Sequence, residues 1–373
     1  MPASNPLVAA VAALVLTASA AAAAPPTYTL TDIGNLGGTY TSANGINAAG
    51  WITGVSYTAS NQARAFLYDG TTMTNLGTLG GSSSTGWAIN DSGVISGTSA
   101  LGGSDRGFRY SSGTMTELGR ISGSYGEGNA INASGAIAGW TTSPSGAAPV
   151  IYSGPSSTTP INLGSLGGSY GYAWGINDSG QATGNSYVNG FSHHAFRYTS
   201  GVMTGLGTFG GTSSEGLDIN NNGAITGWAH NGSNTQTAFI ATGNTLASLG
   251  TLGYASRGIA INDQGWVVGK SMDLSFQDRA FVHDGTSMFD LNTLIATSDP
   301  LYGQVVLSTA NGINESGMII ANGSNGHAYL LTPFVAPIDT PEPATLALLG
   351  TGLFGLFGLV AARRRPARTA RLA

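Results

Sequence analysis

A unit of about forty-three residues recurs seven times and restricts what this chain can become. Its clearest copy, Leu163 to Gly205, reads LGSLGGSYGYAWGINDSGQATGNSYVNGFSHHAFRYTSGVMTG. Each copy carries an Ile-Asn step, at Asn47, Asn90, Asn132, Asn177, Asn220, Asn262 and Asn314, so the spacings are 43, 42, 45, 43, 42 and 52. A period in that range implies supersecondary units stacked or set radially, each burying its apolar face against the next.

Within a copy the apolar residues alternate, as in Trp174 and Ile176, and no stretch keeps a 3.6-residue period over three turns. Each copy therefore reads as strands and turns. Strand A ends at the Ile-Asn step, and Asn-x-x-Gly after it suits a hairpin with glycine at positive φ. Strand B follows at once (Val94 to Gly97, Ala224 to Gly227), then a loop of varied length, strand C (Ala65 to Tyr68, Ala195 to Tyr198), and strand D around Met73, Met115, Met203 and Met288. Four short strands per unit make a propeller blade. The last copy stops after strand C at Pro333, while Thr27 to Gly34 aligns with the D strands and has no A, B or C before it. The expectation is an all-β, seven-bladed propeller over residues 27–333, closed by an N-terminal strand that leaves no open sheet edge.

Only 8% of residues are charged, 58 are glycine and none is cysteine, so the body is a polar, disulfide-free β protein. Residues 25–340 carry seventeen acidic side chains against eight basic ones, which argues against a nucleic-acid partner. Small residues precede each Ile of the Ile-Asn step (Gly45, Ala88, Ala130, Gly175, Ala260, Gly312), as crowded inner strands require; Asp218 is the exception. Its carboxylate reads as one satisfied by a backbone N–H, ahead of a cation site. The seven asparagines read as structural, because equivalent turns carry all of them.

The B-to-C loops do not repeat: VSYTASNQAR, TSALGGSDR, WTTSPSGAA, NSYVNGFSHH, WAHNGSNTQT and KSMDLSFQDR open on one face with the D-to-A loops. Variable loops on a rigid scaffold are where binding is usually placed. Tyr57, Trp140, Tyr187, Phe191, Trp228 and Phe276 give that face flat rings that can stack on sugars, and equally can cover the blade ends.

Catalytic patterns dissolve on inspection. Gly167 to Gly171 matches G-x-S-x-G but lies in a loop with no helix after it. Gly265 to Ser271 is one residue short of a P-loop. His193, His194 and His230 have no carboxylate or cysteine at ligand spacing beside them. No carboxylate pair recurs where general acid and base would need it, which disfavours a glycosidase. Neither a catalytic residue, a cofactor nor a metal site is expected.

Residues 7–24 are apolar and alanine-rich, and 1–24 read as a secretory signal peptide. At the other end, a linker at 334–340 precedes Pro341-Glu342-Pro343 and an uncharged run at 344–362. Nineteen helical residues at about 1.5 Å each span roughly 28 Å, close to the ~30 Å bilayer core. A transmembrane helix is expected there, with Arg363, Arg364 and Arg365 and the basic tail 366–373 held in the cytoplasm and the propeller outside.

In order, the Pro-Glu-Pro tripeptide, the hydrophobic helix and the arginine cluster of 341–365 resemble the PEP-CTERM sorting signal of Gram-negative bacteria. That resemblance implies an exosortase as partner, a membrane cysteine protease that removes the tail and delivers the body to the cell surface or exopolysaccharide matrix. The body resembles the HAF-repeat family of extracellular repeats through His194-Ala195-Phe196, with Arg64-Ala65-Phe66, Thr237-Ala238-Phe239, Arg279-Ala280-Phe281 and His327-Ala328-Tyr329 as variants. No activity comes with that likeness. The sequence thus reads as an exported, non-catalytic binding or adhesion propeller, with polysaccharide as candidate ligand. The alternatives are an extracellular glycan-active enzyme or a structural matrix component.

Overall fold

The computed structural model describes residues 25–334, which form one compact unit within Met1–Phe334. The signal peptide, all but the first residue of the linker, the sorting segment and the expected helix 344–362 lie outside the described residues. Among those described, no helix is long and apolar enough to cross a membrane.

Seven antiparallel sheets of four strands each make up the unit, and no α-helix occurs in it. The fourth blade is representative: A is Gly171–Ile176, B Ala182–Tyr187, C His193–Thr199 and D Val202–Gly207. Its neighbours in the chain follow the same A-B-C-D meander. In the seventh sheet, strands Leu307–Ile313, Ile319–Gly323 and Ala328–Pro333 are joined by Tyr28–Asp32, with Tyr28 opposite Pro333 and Asp32 opposite Tyr329.

The long spacing before Asn314 has a physical account. Between the sixth and seventh blades the chain inserts a 3-10 turn, Leu291–Leu294, and a loop that crosses the free edge of Tyr28–Asp32. Tyr28 bridges to Ile295, the Ala296 N–H donates to the Tyr28 carbonyl at 2.8 Å, and the Leu30 N–H donates to Asp299 Oδ2 at 2.7 Å. Edge groups that would otherwise offer themselves to another chain are partly occupied here. Leu291, Ile295 and Leu307 bury themselves with Tyr28 in the same apolar cluster.

Inter-blade packing explains the rest of the repeat. Phe66, Phe108, Phe196, Phe239 and Phe281, one in each of five C strands, are fully buried. They need room, and glycine in strand B gives it: a Cβ on Gly184 would stand 1.9 Å from the Tyr172 carbonyl oxygen and 2.9 Å from the Phe196 ring. The hairpin glycine after each Ile-Asn step has φ between 74° and 83° in all seven blades (Gly50, Gly93, Gly135, Gly180, Gly223, Gly265, Gly317), a region open to glycine at little cost.

Each Ile-Asn asparagine is buried and does two jobs. Its Oδ1 accepts the N–H four residues on, as from Ala136 to Asn132 at 2.9 Å and from Ala224 to Asn220 at 2.8 Å. Its Nδ2 donates to the backbone carbonyl of the corresponding asparagine in the next blade, at 3.2, 3.1, 3.0, 3.0, 2.8 and 3.4 Å in chain order. Asn314 then donates to the Asn47 carbonyl at 3.0 Å. Seven side chains thereby form a cyclic chain of hydrogen bonds around the narrow end of the central channel.

Candidate functional site at the wide channel mouth

A second ring of side chains faces the channel, and a backbone irregularity puts it there. Every A strand breaks register with its B strand three residues before the asparagine, for example between Gly86 and Ala88 and between Ala173 and Gly175. The extra residue at such a bulge is unpaired and its side chain is re-aimed. Around the ring those residues are Asn44, Trp87, Asn129, Trp174, Leu217, Ile259 and Asn311, and all seven line a cavity of about 540 Å³. The amides are anchored across blades: Asn44, Asn129 and Asn311 donate to the carbonyls of Gly86, Ala173 and Ala43 at 2.9, 3.0 and 2.8 Å. The indoles are anchored within blades, Trp87 to Thr98 Oγ1 and Trp174 to Asn185 Oδ1, both at 2.9 Å.

Small residues just before each Ile sit where neighbouring inner strands meet, as the sequence implied. A Cβ on Gly45 would come within 2.9 Å of the Ala88 Cα, and one on Gly175 within 3.0 Å of the Asp218 Cα. Asp218 itself lines the cavity half-buried, with Oδ1 accepting the Ile219 N–H at 2.8 Å and Oδ2 the Ile261 N–H at 3.0 Å. Burial pushes its carboxyl up to about 6, against those two hydrogen bonds and with help from the Asp263 charge.

Two glutamates, unremarked in the sequence reading, lie two residues before the bulged position of their A strands. Glu127 pairs across the sheet with Trp140, and Glu215 with Trp228. The Trp228 indole donates to Glu215 Oε2 at 3.0 Å, Arg257 Nη2 lies 3.4 Å from that oxygen, and His193 Nε2 lies 3.5 Å from Oε1. At 3.5 Å the histidine contact is long for a hydrogen bond. The environments differ. Burial raises the Glu127 carboxyl and Asp105 adds to this, against the Trp140 indole. Burial would raise Glu215 too, but His193, Arg257 and Trp228 together hold it below the ordinary range.

Of the six rings expected on this face, three fall in two aromatic clusters that together form the arc over blades three to five. Trp140 meets Tyr172 edge-on at 5.3 Å, and Tyr172 stacks on Trp174 at 5.8 Å. Tyr187 contacts Tyr170 and His193, and His193 contacts Trp228. Trp228, however, is only 7% exposed; its ring is packed between His193 and His230, so it supports Glu215 instead of presenting a free face. Tyr57 pairs with Tyr40 in the first blade and Phe276 stacks on Tyr254 in the sixth, both apart from the arc. Phe191 is 95% exposed at its loop tip. Among the described residues, no group of three or more His, Cys, Asp or Glu is placed to hold a metal ion.

Comparison with known proteins adds an address and a fold. Residues 339–365 match the PEP-CTERM protein-sorting motif, which implies export and sorting by an exosortase. Among curated proteins none matches this sequence. Among solved structures, the propeller domain of the Trilobed protease from Pyrococcus furiosus, with an open velcro topology, aligns at a TM-score of 0.50 and 11% identity, covering 80% of this chain and 91% of that one. YCF48 from Cyanidioschyzon merolae aligns at 0.48 and 10%, covering 82% and 99%. A gluconolactonase from Xanthomonas campestris aligns at 0.40 and 12%, covering 83% and 95%. At such identities the likeness to the first is one of fold alone, and the other two carry no argument.

Proposed function

We propose that this chain is an exported, non-catalytic propeller of HAF-type repeats that binds polysaccharide at the wide channel mouth. An N-terminal signal peptide at 1–24 sends it out, and the helix at 344–362 holds it in the membrane. An exosortase recognises Pro341-Glu342-Pro343 beside that helix, the arginines 363–365 stop the chain from slipping through, and the body passes to the surface or matrix. The Tyr28–Asp32 strand closes the ring and keeps such a body soluble outside the cell. One observation carries the binding reading: bulges in seven A strands turn indole faces and backbone-anchored amides into a single open cavity. Flat rings with fixed amide donors and acceptors are what the apolar faces and hydroxyls of sugars require.

The test starts with the chain expressed in a host that has an exosortase. Mass spectrometry of the mature protein shows a C-terminus at or near Pro341 to Pro343, and a glycan array probed with that protein shows binding that Trp174→Ala weakens at least about tenfold, a loss of ~1.4 kcal/mol. A tail still ending at Ala373 defeats the sorting reading; an array without signal defeats the binding one.

A second reading, a glycan-active enzyme, is favoured by the opposite shifts of Glu127 and Glu215, since an acid and a base need environments that push them apart. Reducing ends released by the parent and not by Glu127→Gln would replace binding with turnover.

A further inference from the structure

The repeat builds the same B-to-C turn in three blades, and one copy puts an unexpected residue in its strained position. In blade one the Asn61 N–H closes the turn on the Thr58 carbonyl at 2.8 Å, in blade five Asn234 closes on Asn231 at 2.8 Å, and in blade six Phe276 closes on Asp273 at 3.0 Å. The backbone is left-handed at all three, with φ of 60°, 55° and 60°. Asparagine tolerates that region better than most residues, whereas a bulky aromatic there is an outlier.

Nothing in the turn itself calls for the aromatic. Asp273 Oδ1 accepts from Ser275 and Gln277 at 2.8 and 3.0 Å, as Asn231 Oδ1 accepts from Ser233 and Thr235 at 3.0 Å each. The ring is not there to fill a core either, because it is 62% exposed. It stacks on Tyr254 with centroids 4.2 Å apart and planes 12° from parallel. Beside it lies a cavity of about 440 Å³ whose lining includes Phe276, Gln277, Asp278, Ser308 and Ser324. Backbone strain that holds an exposed, oriented ring at the lip of a cavity of mixed polar and apolar lining is the pattern of a binding position.

We propose that Phe276, backed by Tyr254, is the platform of a second glycan subsite at blades six and seven, taking a pyranose ring of a neutral, β-linked hexose polymer. The inference rests on the polysaccharide reading above and adds a place and a sugar class to it. The stacked pair leaves one flat face outward for the axial C–H groups of a gluco-configured ring. The cavity offers an amide, hydroxyls and a carboxylate to its hydroxyls. Lys270 Nζ lies 3.0 Å from Asp278 Oδ2, and Arg279, which also lines the cavity, has its Nε 2.8 Å from Asp273 Oδ2, so both charges are offset and the cavity has no strong preference for a charged sugar. A polymer that reaches both this subsite and the channel mouth gains avidity that a short oligomer lacks.

The experiment uses the full chain in detergent, with cellohexaose and a soluble mixed-linkage β-glucan as probes. Phe276→Asn restores the residue that the equivalent turns carry, so its melting temperature rises by about 1–3 °C while affinity for the β-glucan falls by about tenfold or more. Phe276→Leu, which removes the ring without relieving the turn, loses the same affinity with no thermal gain. If the parent binds β-glucan and both variants bind it equally well, the subsite is wrong and the channel-mouth reading stands. A parent that binds other glycans but neither probe overturns the sugar class, and one that binds no glycan at all sinks both readings. A parent that self-associates on a sizing column, with Phe276→Asn monomeric and unchanged in glycan binding, makes the platform a contact between copies instead.

Discussion

The two ends of the channel are built from the same strand, three residues apart, and they obey different rules. At the narrow end all seven blades carry the same buried asparagine, and its bonds repeat from blade to blade. A second layer partly repeats it: Ala133, Asp178, Asn221 and Asp263 each donate a backbone N–H to a side-chain oxygen of the next blade, at 2.7 to 3.0 Å. At the wide end the bulged position reads Asn, Trp, Asn, Trp, Leu, Ile, Asn. Seven blades can share one solution for holding themselves together. On the proposed binding reading, a ligand without sevenfold symmetry needs more than one answer, and the departures from the repeat are where such answers would lie.

The largest expected effect tests whether the seventh blade obeys the same rule as the others. Deleting Thr27 to Gly34 removes the strand opposite Ala328–Pro333 and leaves Ile295, Ala296 and Asp299 without their partners. We expect loss of cooperative thermal unfolding and aggregation by light scattering; a deletion that melts like the parent would show that the N-terminal strand does not close the ring. Next in size is the narrow end. Asn132→Ala strands the Ala136 N–H in a buried place and takes from the Asn177 carbonyl one of its two donors, the Gly180 N–H remaining, at a cost of about 1–3 kcal/mol in urea unfolding. A cost below 0.5 kcal/mol, the range of ordinary surface changes, would make the asparagine ring ornamental.

Much of this was legible in the sequence because it repeats. Period-two alternation, Asn-x-x-Gly hairpins and the seven Ile-Asn steps prescribe four-stranded blades, and seven equivalent asparagines point to structure. What stayed hidden depends on single departures. A bulge is a fault in register between two strands, and the period-two alternation of Trp174 with Ile176 does not reveal the one between Ala173 and Gly175, or its counterpart between Gly86 and Ala88. Glu127 and Glu215 occupy the same strand position two blades apart, a signal that could have been found by aligning the copies. Among the loop rings, exposure separates Phe276 from Trp228, and no spacing rule foretells that. The 52-residue spacing before Asn314 does not say what the residues between Leu291 and Leu307 do; their role appears only beside Tyr28.

The smallest effect we predict lies where the two ends meet. Asp218 replaces the small residue found before Ile in every other blade, and its carboxyl is raised to about 6 by burial. An unfolded aspartate titrates near ~3.9, so the folded state favours the protonated form. The stability tied to that proton is fully present below about pH 4 and is lost as pH rises through 6. Asp218→Asn keeps an acceptor for the Ile219 N–H and carries no charge to desolvate, though it gives up one bond to Ile261. Above pH 6 it should therefore be more stable than the parent by on the order of 1 kcal/mol, and the advantage should shrink to nothing as pH falls from 6 to 4. Urea titrations of both proteins across that window decide it. A difference that does not change with pH would mean that the charge is compensated in the channel, and the wide mouth would then hold a fixed anion beside its indoles.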